Sequence, residues 1–427
     1  NVLNKKERMQ GNGRNNMGRL IRYEWKKIWQ SRMVQGAVLA CSVFILFCIY
    51  MSIMQLETYD KRGNRITGID AVREVKKTQE VLLNQEEVNQ IVKEYLDYTK
   101  NPQTSSDKKE FEFLSEKVYR TWYLPRKEQI MLIKNGYAPL FSETDMKTIF
   151  EENYRKDFAQ SCVQRKQEMI TYEMKNGSVT KEQAQYWMEK VEGYPIIYGK
   201  ATAWEGILGG NNASWILLIM LVVCIGAAPV FAGEYQSRAD SILLCMRYGK
   251  SKLISAKILA TFLFASSVYI GMWAGVCEIY LAIFGAAGMD LPLEVYYLSM
   301  AVSLPLTMGE AVLVVSVLGL FVTWGITALT LCLSAVFKSA YGVIIIDTVM
   351  IFSSFFLYSE YFGYGMKHIL ALLPSSIDDL SFQNYTAYTF GSMTFSLPQT
   401  LAAAQIILGV LFVLLAHYKF QSHQVNR

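Results

Sequence analysis

The sequence is poor in the residues on which most catalytic and metal chemistry depends. Among 427 residues it has three histidines, His368, His417 and His423, too few and too scattered for a histidine-based metal centre. Its seven cysteines make no redox framework. Cys41, Cys48, Cys224, Cys245, Cys277 and Cys332 lie in or beside apolar stretches, and Cys162 alone occupies the large polar region, where no disulfide can form. No HExxH, no CxxC pair and no GxSxG elbow is present. Gly249-Lys250-Ser251 resembles the end of a phosphate-binding loop, but Leu244 stands where that motif needs glycine, so ATP binding by this chain is not expected. Charge is scarce as well. At 19% charged and 52% hydrophobic, the chain is neither disordered nor a disulfide scaffold.

What is there is apolar sequence in runs of membrane-spanning length. The first, from about Val34 to Met54, is 21 residues without a charge. At about 1.5 Å of rise per residue it crosses a hydrocarbon core of about 30 Å. It is too long for a signal peptide and lacks a small-residue cleavage pattern. Further spans are expected at Ser214 to Gly233, with a kink at Pro229, and at Ile258 to Phe284, Ala311 to Phe337, Ala340 to Ser359 and Leu401 to Tyr418. The fourth and fifth are separated only by Lys338 and Ser339, a tight helical hairpin.

Basic residues orient the spans. The first 33 residues carry nine Lys or Arg against two acids, and the segment 233–257 carries Arg238, Arg247, Lys250, Lys252 and Lys257 against Glu234 and Asp240. Both are therefore expected to be cytoplasmic, and six spans then place Lys338 and the tail with Lys419 and Arg427 on the same side. The expected fold is an all-α polytopic membrane protein. Residues 1–33 form a cytoplasmic tail and interfacial helix, 34–54 the first span, 55–212 an outer domain, and 213–427 the remaining five spans.

The outer segment carries 24 basic and 25 acidic residues, nearly neutral and large enough for a domain. Helical periods run from Asp70 to Tyr98 and from Thr144 to Met174, and Thr180 with Gln183 forms a capping box for a helix that Gly193 and Pro195 terminate. A mostly helical domain, an extended stalk or hairpin with smaller elements at its tip, is the expectation. Its many carboxylates read as a solvated face, not a catalytic pair. Two further segments interrupt the simple pattern. Val295 to Gly309 contains Pro305 and is expected at the membrane interface or partway into it, and 363–398 as a surface or re-entrant segment before the last span.

Two ionisable residues fall inside spans. A central Asp costs about 2.5–3.5 kcal/mol on insertion scales, so Asp347 and Glu278 should face the bundle interior, a dimer seam or water. They lie at different depths and are not expected to pair. Gly271, Gly275, Gly285 and Gly288 are candidates for close approach at a dimer seam.

Two cytoplasmic segments are suited to contacts. In GRLIRYEWKKIWQSR, from Gly18 to Arg32, helical spacing places Leu20, Ile21, Trp25, Ile28 and Trp29 on one face and most of the cations, Lys26 and Lys27 among them, on the other. That pattern suits a helix in the inner leaflet interface, anchoring to anionic lipid, docking a partner, or both. Asn4 to Asn16 reads as unstructured, with Met17 a possible natural start. In the segment 234–257, Glu234 marks the membrane exit, Ser241 to Met246 supplies a short apolar helical face, and Tyr248-Gly249 makes a break. A short helix fixed at both ends in a bundle transmits force, and a soluble motor can grip its exposed face.

These features resemble the permease subunit of bacterial ABC-2 type exporters. The likeness rests on Tyr23-Glu24-Trp25-Lys26-Lys27 before the first span, and on the aromatic-Ala-x-Glu pattern Phe231-Ala232-Gly233-Glu234. It rests also on the apolar helix, Gly249-Lys250-Ser251 and Lys257 that follow, on six spans, and on Leu373-Pro374 before the last. It covers roughly 18–55 and 214–418, and the outer insert departs from compact members of the family. The resemblance implies two permease chains, identical or related, in the bacterial cell membrane with both termini cytoplasmic, and two separately encoded subunits that carry ATP and Mg. No cofactor, metal or catalytic residue is then expected on this chain, and no nucleic-acid partner. Glu234, Ser241, Leu243, Leu244, Met246, Arg247 and Lys257 would meet the ATPase, while Tyr23, Trp25, Lys26, Lys27 and Trp29 form the interfacial helix. The function so implied is export of a peptide antibiotic, a drug or an ion, with the substrate left open. The alternatives are an ATP-driven mechanotransmitter that moves its outer domain without transport, or a membrane receptor or scaffold.

Overall fold

A computed structural model describes residues 17–60, 62–191, 193, 195–209, 215–246, 249–353, 363–377 and 382–422. Helix α1 (17–29) leads through Ser31 into α2 (Arg32–Gln55), the first helix long and apolar enough to cross a membrane. Such helices recur at Trp215–Gln236, which breaks at Ala228 into α10 (Trp215–Ala227) and α11 (Pro229–Gln236), at α13 (Lys252–Phe284), α14 (Met308–Val336) and α17 (Leu397–Ser422). Thus five described helices meet the length of a span. The expected fifth span is represented by α15 (Ala340–Ile351), whose 12 residues are too short to cross alone, and residues 354–359 of that run lie outside the described residues.

The break in the second span has a local cause. Pro229 has no N–H to donate, and a helix interior tolerates that only where freed backbone groups find partners. Ser334 of α14 supplies them: its hydroxyl accepts from the N–H of Phe231 (3.0 Å) and Ala232 (2.9 Å) and donates to the carbonyl of Ala228 (2.6 Å). The kink is thereby built into the packing of the second helix against the fourth.

Leu217, Met220 and Val223 of α10, Ile254, Phe264 and Val268 of α13, and Val322, Ile326 and Leu331 of α14 form the centre of the bundle. Glycine permits its closest approaches. A Cβ on Gly325 would stand 2.1 Å from Oε1 of Gln405, along the extensive α14–α17 contact, and one on Gly226 would stand 2.3 Å from the Phe264 ring. At the periphery α2 exposes Leu39, Val43, Phe44 and Phe47, and α17 exposes Ile407, Val410 and Leu414, an apolar surface suited to lipid or another membrane helix. Gly271 and Gly275 leave open space beside α13, so a seam there is sterically free. Gly288, with φ of +81°, is packed against Ala201 inside the chain and is not available for one.

The polar insert is a packed helical domain, not the extended stalk that its helical periods suggest. Each long period divides where a capping residue starts a new helix. The first becomes α3 (Gly68–Val75) and α4 (Gln85–Lys100), with Asn84 accepting from the N–H of Glu87. After α5 (Leu124–Tyr137), the second becomes α6 (Met146–Asn153) and α7 (Phe158–Lys175), with Asp157 accepting from the N–H of Gln160. Short helices packed crosswise enclose a core that an uninterrupted stalk could not. Val88, Val92 and Tyr95 of α4 meet Ile130 and Ile133 of α5, Phe150 of α6 and Phe158 of α7. The capping box of Thr180 and Gln183 is present and opens α8 (Lys181–Met188). Two-stranded ladders pair β1 (Glu57–Tyr59) with β2 (Arg65–Thr67), and β3 (Val81–Leu82) with β4 (Ile197–Tyr198), before α9 (Thr202–Ile207) returns the chain to the bundle.

The segment from Val295 to Gly309 lies at the junction of the two cores, with Val302 and Met308 packed into that of the bundle. Val295 and Met300 belong to the insert's own core, and the neighbouring Glu294 is fully buried in an ion pair with Lys166 of α7 (2.8 Å). The segment before the last span contains α16 (Gly363–Leu370) and a hairpin of β5 (Ala387–Phe390) with β6 (Met393–Ser396). This hairpin also docks on the insert, through Gln183 Nε2 to the carbonyl of Ala387 (2.6 Å) and Trp187 Nε1 to that of Tyr385 (2.7 Å). The insert therefore grips both connecting segments at its end of the bundle.

Candidate functional site

At the opposite end of the bundle, four charged side chains from three elements form one alternating chain. Lys257, five residues into α13, is 1% exposed, and its Nζ donates to Oε1 of Glu234 (2.7 Å) and Oε2 of Glu24 (3.1 Å). Nζ of Lys27 donates to the same Glu234 oxygen at 2.7 Å. The order Lys27, Glu234, Lys257, Glu24 is charge-neutral and joins α1 to the end of the second span and the start of the third helix.

The helical repeat of α1 makes this possible. Glu24 and Ile28, four residues apart, are both buried on the face turned to the bundle, while Arg22, Tyr23, Lys26 and Lys27 are exposed at its edge and outer side. Trp25 and Trp29 pack partly buried beside them, Trp29 edge-on to Phe264 with 5.2 Å between ring centroids. The expected amphipathic division holds, but its inner face carries a carboxylate. Removing an ammonium and a carboxylate from water costs several kcal/mol per ion, and two carboxylates around one buried lysine offset that cost only in good geometry. At the rim, burial opposes the charge of Lys27, yet the Glu234 carboxylate outweighs it and holds the ammonium above the ordinary lysine range. A cavity of about 280 Å³ opens beside the four charges, lined also by Ser31 and Pro229.

The end of the second span is a junction for other helices as well. The Tyr235 hydroxyl donates to the carbonyl of Ala335 in α14 (3.1 Å), and the Phe231 ring lies 4.6 Å from that of Phe420 in α17. Beyond it the helix ends in a Schellman motif, with the N–H of Ala239 donating to Glu234 and that of Arg238 to Tyr235. The motif's left-handed position, usually glycine, is Arg238 at φ of +53°. It turns the chain directly into α12 (Asp240–Cys245).

On α12 and its end, Ile242 is 70% exposed, Cys245 and Met246 are also exposed, and Ser241 and Leu243 are half-buried. The side chain of Leu244 and all of Arg247 lie outside the described residues. Among the described residues nothing covers this apolar face, which the turn at Arg238 joins to the end of the second span.

The structure therefore brings together Glu234, Lys257 and Lys27 of the expected residues, adds Glu24 and Ser334, and holds Ser241, Leu243 and Met246 close by on α12. It separates the intramembrane pair. Glu278 is exposed on the flank of α13, which leaves it water or a seam but not this bundle's interior. Asp347 is fully buried, with the Cys224 thiol and the Thr330 hydroxyl beside it. Among the described residues no group of three or more His, Cys, Asp or Glu is placed to hold a metal ion.

A family model described as ABC-2 family transporter protein matches residues 37–417, most of the chain. The chain belongs to this ABC-2 family. Comparison with curated proteins and with solved structures gave no match. The matched range includes Glu234, α12 and Lys257 together with the whole polar insert, so in this ABC-2 protein the insert lies within the transporter region. Glu24 and Lys27 precede the matched range and are tied to it by the ion network.

Proposed function

We propose that the protein is the membrane subunit of an ATP-binding-cassette exporter, crossing the membrane six times with both termini and α12 in the cytoplasm and the insert outside. A separate ATPase subunit, carrying ATP and Mg, drives it, and a second permease chain completes the assembly. The observation that carries this reading is the uncovered apolar face of α12, joined through one turn to the buried network of Lys27, Glu234, Lys257 and Glu24. A push on α12 reaches the second span through the Schellman turn. It reaches α1 and α13 through the ion network, so one contact moves three elements together. The substrate class follows only from the family's insert-bearing branches: a peptide antibiotic, a drug or an ion.

The test is purification in nanodiscs with the ATPase encoded alongside it. Ile242→Asp with Met246→Asp should abolish co-purification or ATP-dependent transport while leaving the chain folded. Unchanged complex formation and transport would overturn the reading.

One observation favours a second reading, an ATP-driven mechanotransmitter. The insert is fastened to both connecting segments at its end of the bundle by Lys166–Glu294 and by the bonds of Gln183 and Trp187, so helix motion would be passed to it. Vesicle transport that survives deletion of the insert would count against this reading.

A further inference from the structure

Where the insert meets the bundle there is a second cavity, of about 260 Å³. Its walls include Ser52 at the end of α2, Glu128 of α5, Glu205 of α9, Tyr280 and Phe284 at the end of α13, and Tyr296 of the following segment. Five parts of the molecule thus line it, and junctions between domains are among the places where small ligands bind.

The electrostatics of the lining select the sign of an occupant. Glu128 is already engaged: it pairs with Lys200, and the Tyr198 hydroxyl donates to it at 3.4 Å. Glu205 is held within the field of both, Lys200 favouring its charge and Glu128 opposing it. Two carboxylates beside one ammonium leave no net positive charge to hold an anion. Tyr280, Phe284 and Tyr296 add aromatic rings to the lining, a surface that attracts ammonium and guanidinium groups. A divalent metal is poorly served by two carboxylates that already have Lys200 and the Ala201 N–H beside them, in an aromatic setting. Size narrows the choice further. The space is enough for a charged head on a short carbon stem.

We propose that this cavity binds an organic monocation, an alkylammonium or guanidinium group, with Glu205 as its anionic partner and the three rings around its stem. Burial supports this by pushing the Glu205 carboxyl up to about 7, so its charge is poorly solvated until a cation enters. The groups facing it are Glu128 from α5, Tyr198 of β4, Lys200 and the Ala201 N–H between β4 and α9, Tyr280 from α13 and Tyr296 from the segment beyond. The assignment requires no ATPase partner, so it stands or falls separately from the exporter reading.

The full chain in nanodiscs is titrated with n-butylammonium, n-butylguanidinium and neutral n-butanol by saturation-transfer NMR without nucleotide. Both cations should bind saturably, at least about ten-fold more tightly than butanol, and Glu205→Gln should weaken them by about ten-fold or more. Butanol binding as tightly as the cations, or a Glu205→Gln effect under about two-fold, overturns the proposal. Should that variant fail to fold, the wild type still decides. Its affinity for butylammonium should rise between about pH 6 and about pH 8 as Glu205 ionises, and a flat profile overturns the proposal. A lysine-bearing peptide that binds far more tightly than butylammonium identifies a peptide side chain as the source, and equal affinity a free amine. Either result upholds the cation site.

Discussion

Lys257 illustrates how one residue can be visible in a sequence while its role is not. A lysine at the mouth of a span reads as a topology marker, and by that rule it contributes to the expected orientation. Its partner Glu24 lies 233 positions away and its partner Glu234 lies 23 away, separations at which no periodicity operates. A hint was present in the helical repeat of α1, where Glu24 falls one turn before Ile28 on the apolar face. Removing one member of a buried network strands the others, so Lys257→Met should cost about 3–5 kcal/mol. Glu24→Gln on that background should cost much less than in the wild type, because the carboxylate has already lost its cation. Thermal unfolding of the four species in one detergent measures this coupling, and additive losses would show that the network is not a unit. Arg238 allows a converse prediction. Its left-handed backbone costs an L-residue about 1–2 kcal/mol, so Arg238→Gly should slow hydrogen exchange at the end of the second span. Unchanged exchange would mean that the turn is held without strain. The Glu205 carboxyl, raised by burial, favours the folded state in its neutral form. That stabilisation is complete below the ordinary glutamate range and is lost as pH rises through about 7. Amide protection of α9 should therefore fall between about pH 5 and about pH 8, and Glu205→Gln should abolish the dependence.

At the scale of elements, the membrane helices were legible because a hydrophobic run long enough to span a bilayer has few other stable environments. Their ends shifted by a few residues: the third begins at Lys252, not Ile258, since a helix continues past the hydrocarbon boundary that composition marks. The insert was less legible for a different reason. Asp70 to Tyr98 and Thr144 to Met174 keep a helical period across positions where Asn84 and Asp157 each begin a new helix. A period detects one apolar face but not a change in chain direction. The capping residues were the available signal, as the correct reading of Thr180 and Gln183 demonstrates. What no local pattern could indicate is which helices meet, and here glycines carry the information. Gly325→Val would drive a branched side chain into Gln405 of α17, and Gly226→Val into Phe264 of α13. Overpacking typically costs about 1–3 kcal/mol, so both variants should unfold at lower temperature, whereas Gly271→Val, which meets open space within this chain, should leave the isolated protomer unchanged. A Gly271→Val protein that is stable alone but loses self-association would place a second copy of this chain against that face of α13.

For the molecule as a whole, the decisive relation is between its two ends. One end carries an apolar helix that nothing covers among the described residues, with a neutral ion network behind it. The other carries a domain fastened by a buried ion pair and by side-chain bonds to backbone carbonyls. Bonds of Asn135 to the Leu298 carbonyl, Gln183 to Ala387 and Trp187 to Tyr385 accompany Lys166–Glu294, and all of them join the insert to segments between spans. A domain held by a flexible linker would need none of them, since each fixes side chains at a cost in entropy. The insert is therefore built to follow the bundle. Glu294→Gln with Gln183→Ala should release it without unfolding it, because its core of Val88, Tyr95, Ile130 and Phe150 lies elsewhere. The expected result is faster proteolysis at 285–307 and at 382–396, with the 85–100 and 158–175 helices still protected in hydrogen exchange. If ATP-dependent transport by the assembled complex then persists while any action on an external target is lost, helix motion reaches the insert as a separate output. If transport is lost as well, the insert is part of the path. Proteolysis unchanged from the wild type would mean that apolar packing alone, through Val295 and Met300, holds the two parts together.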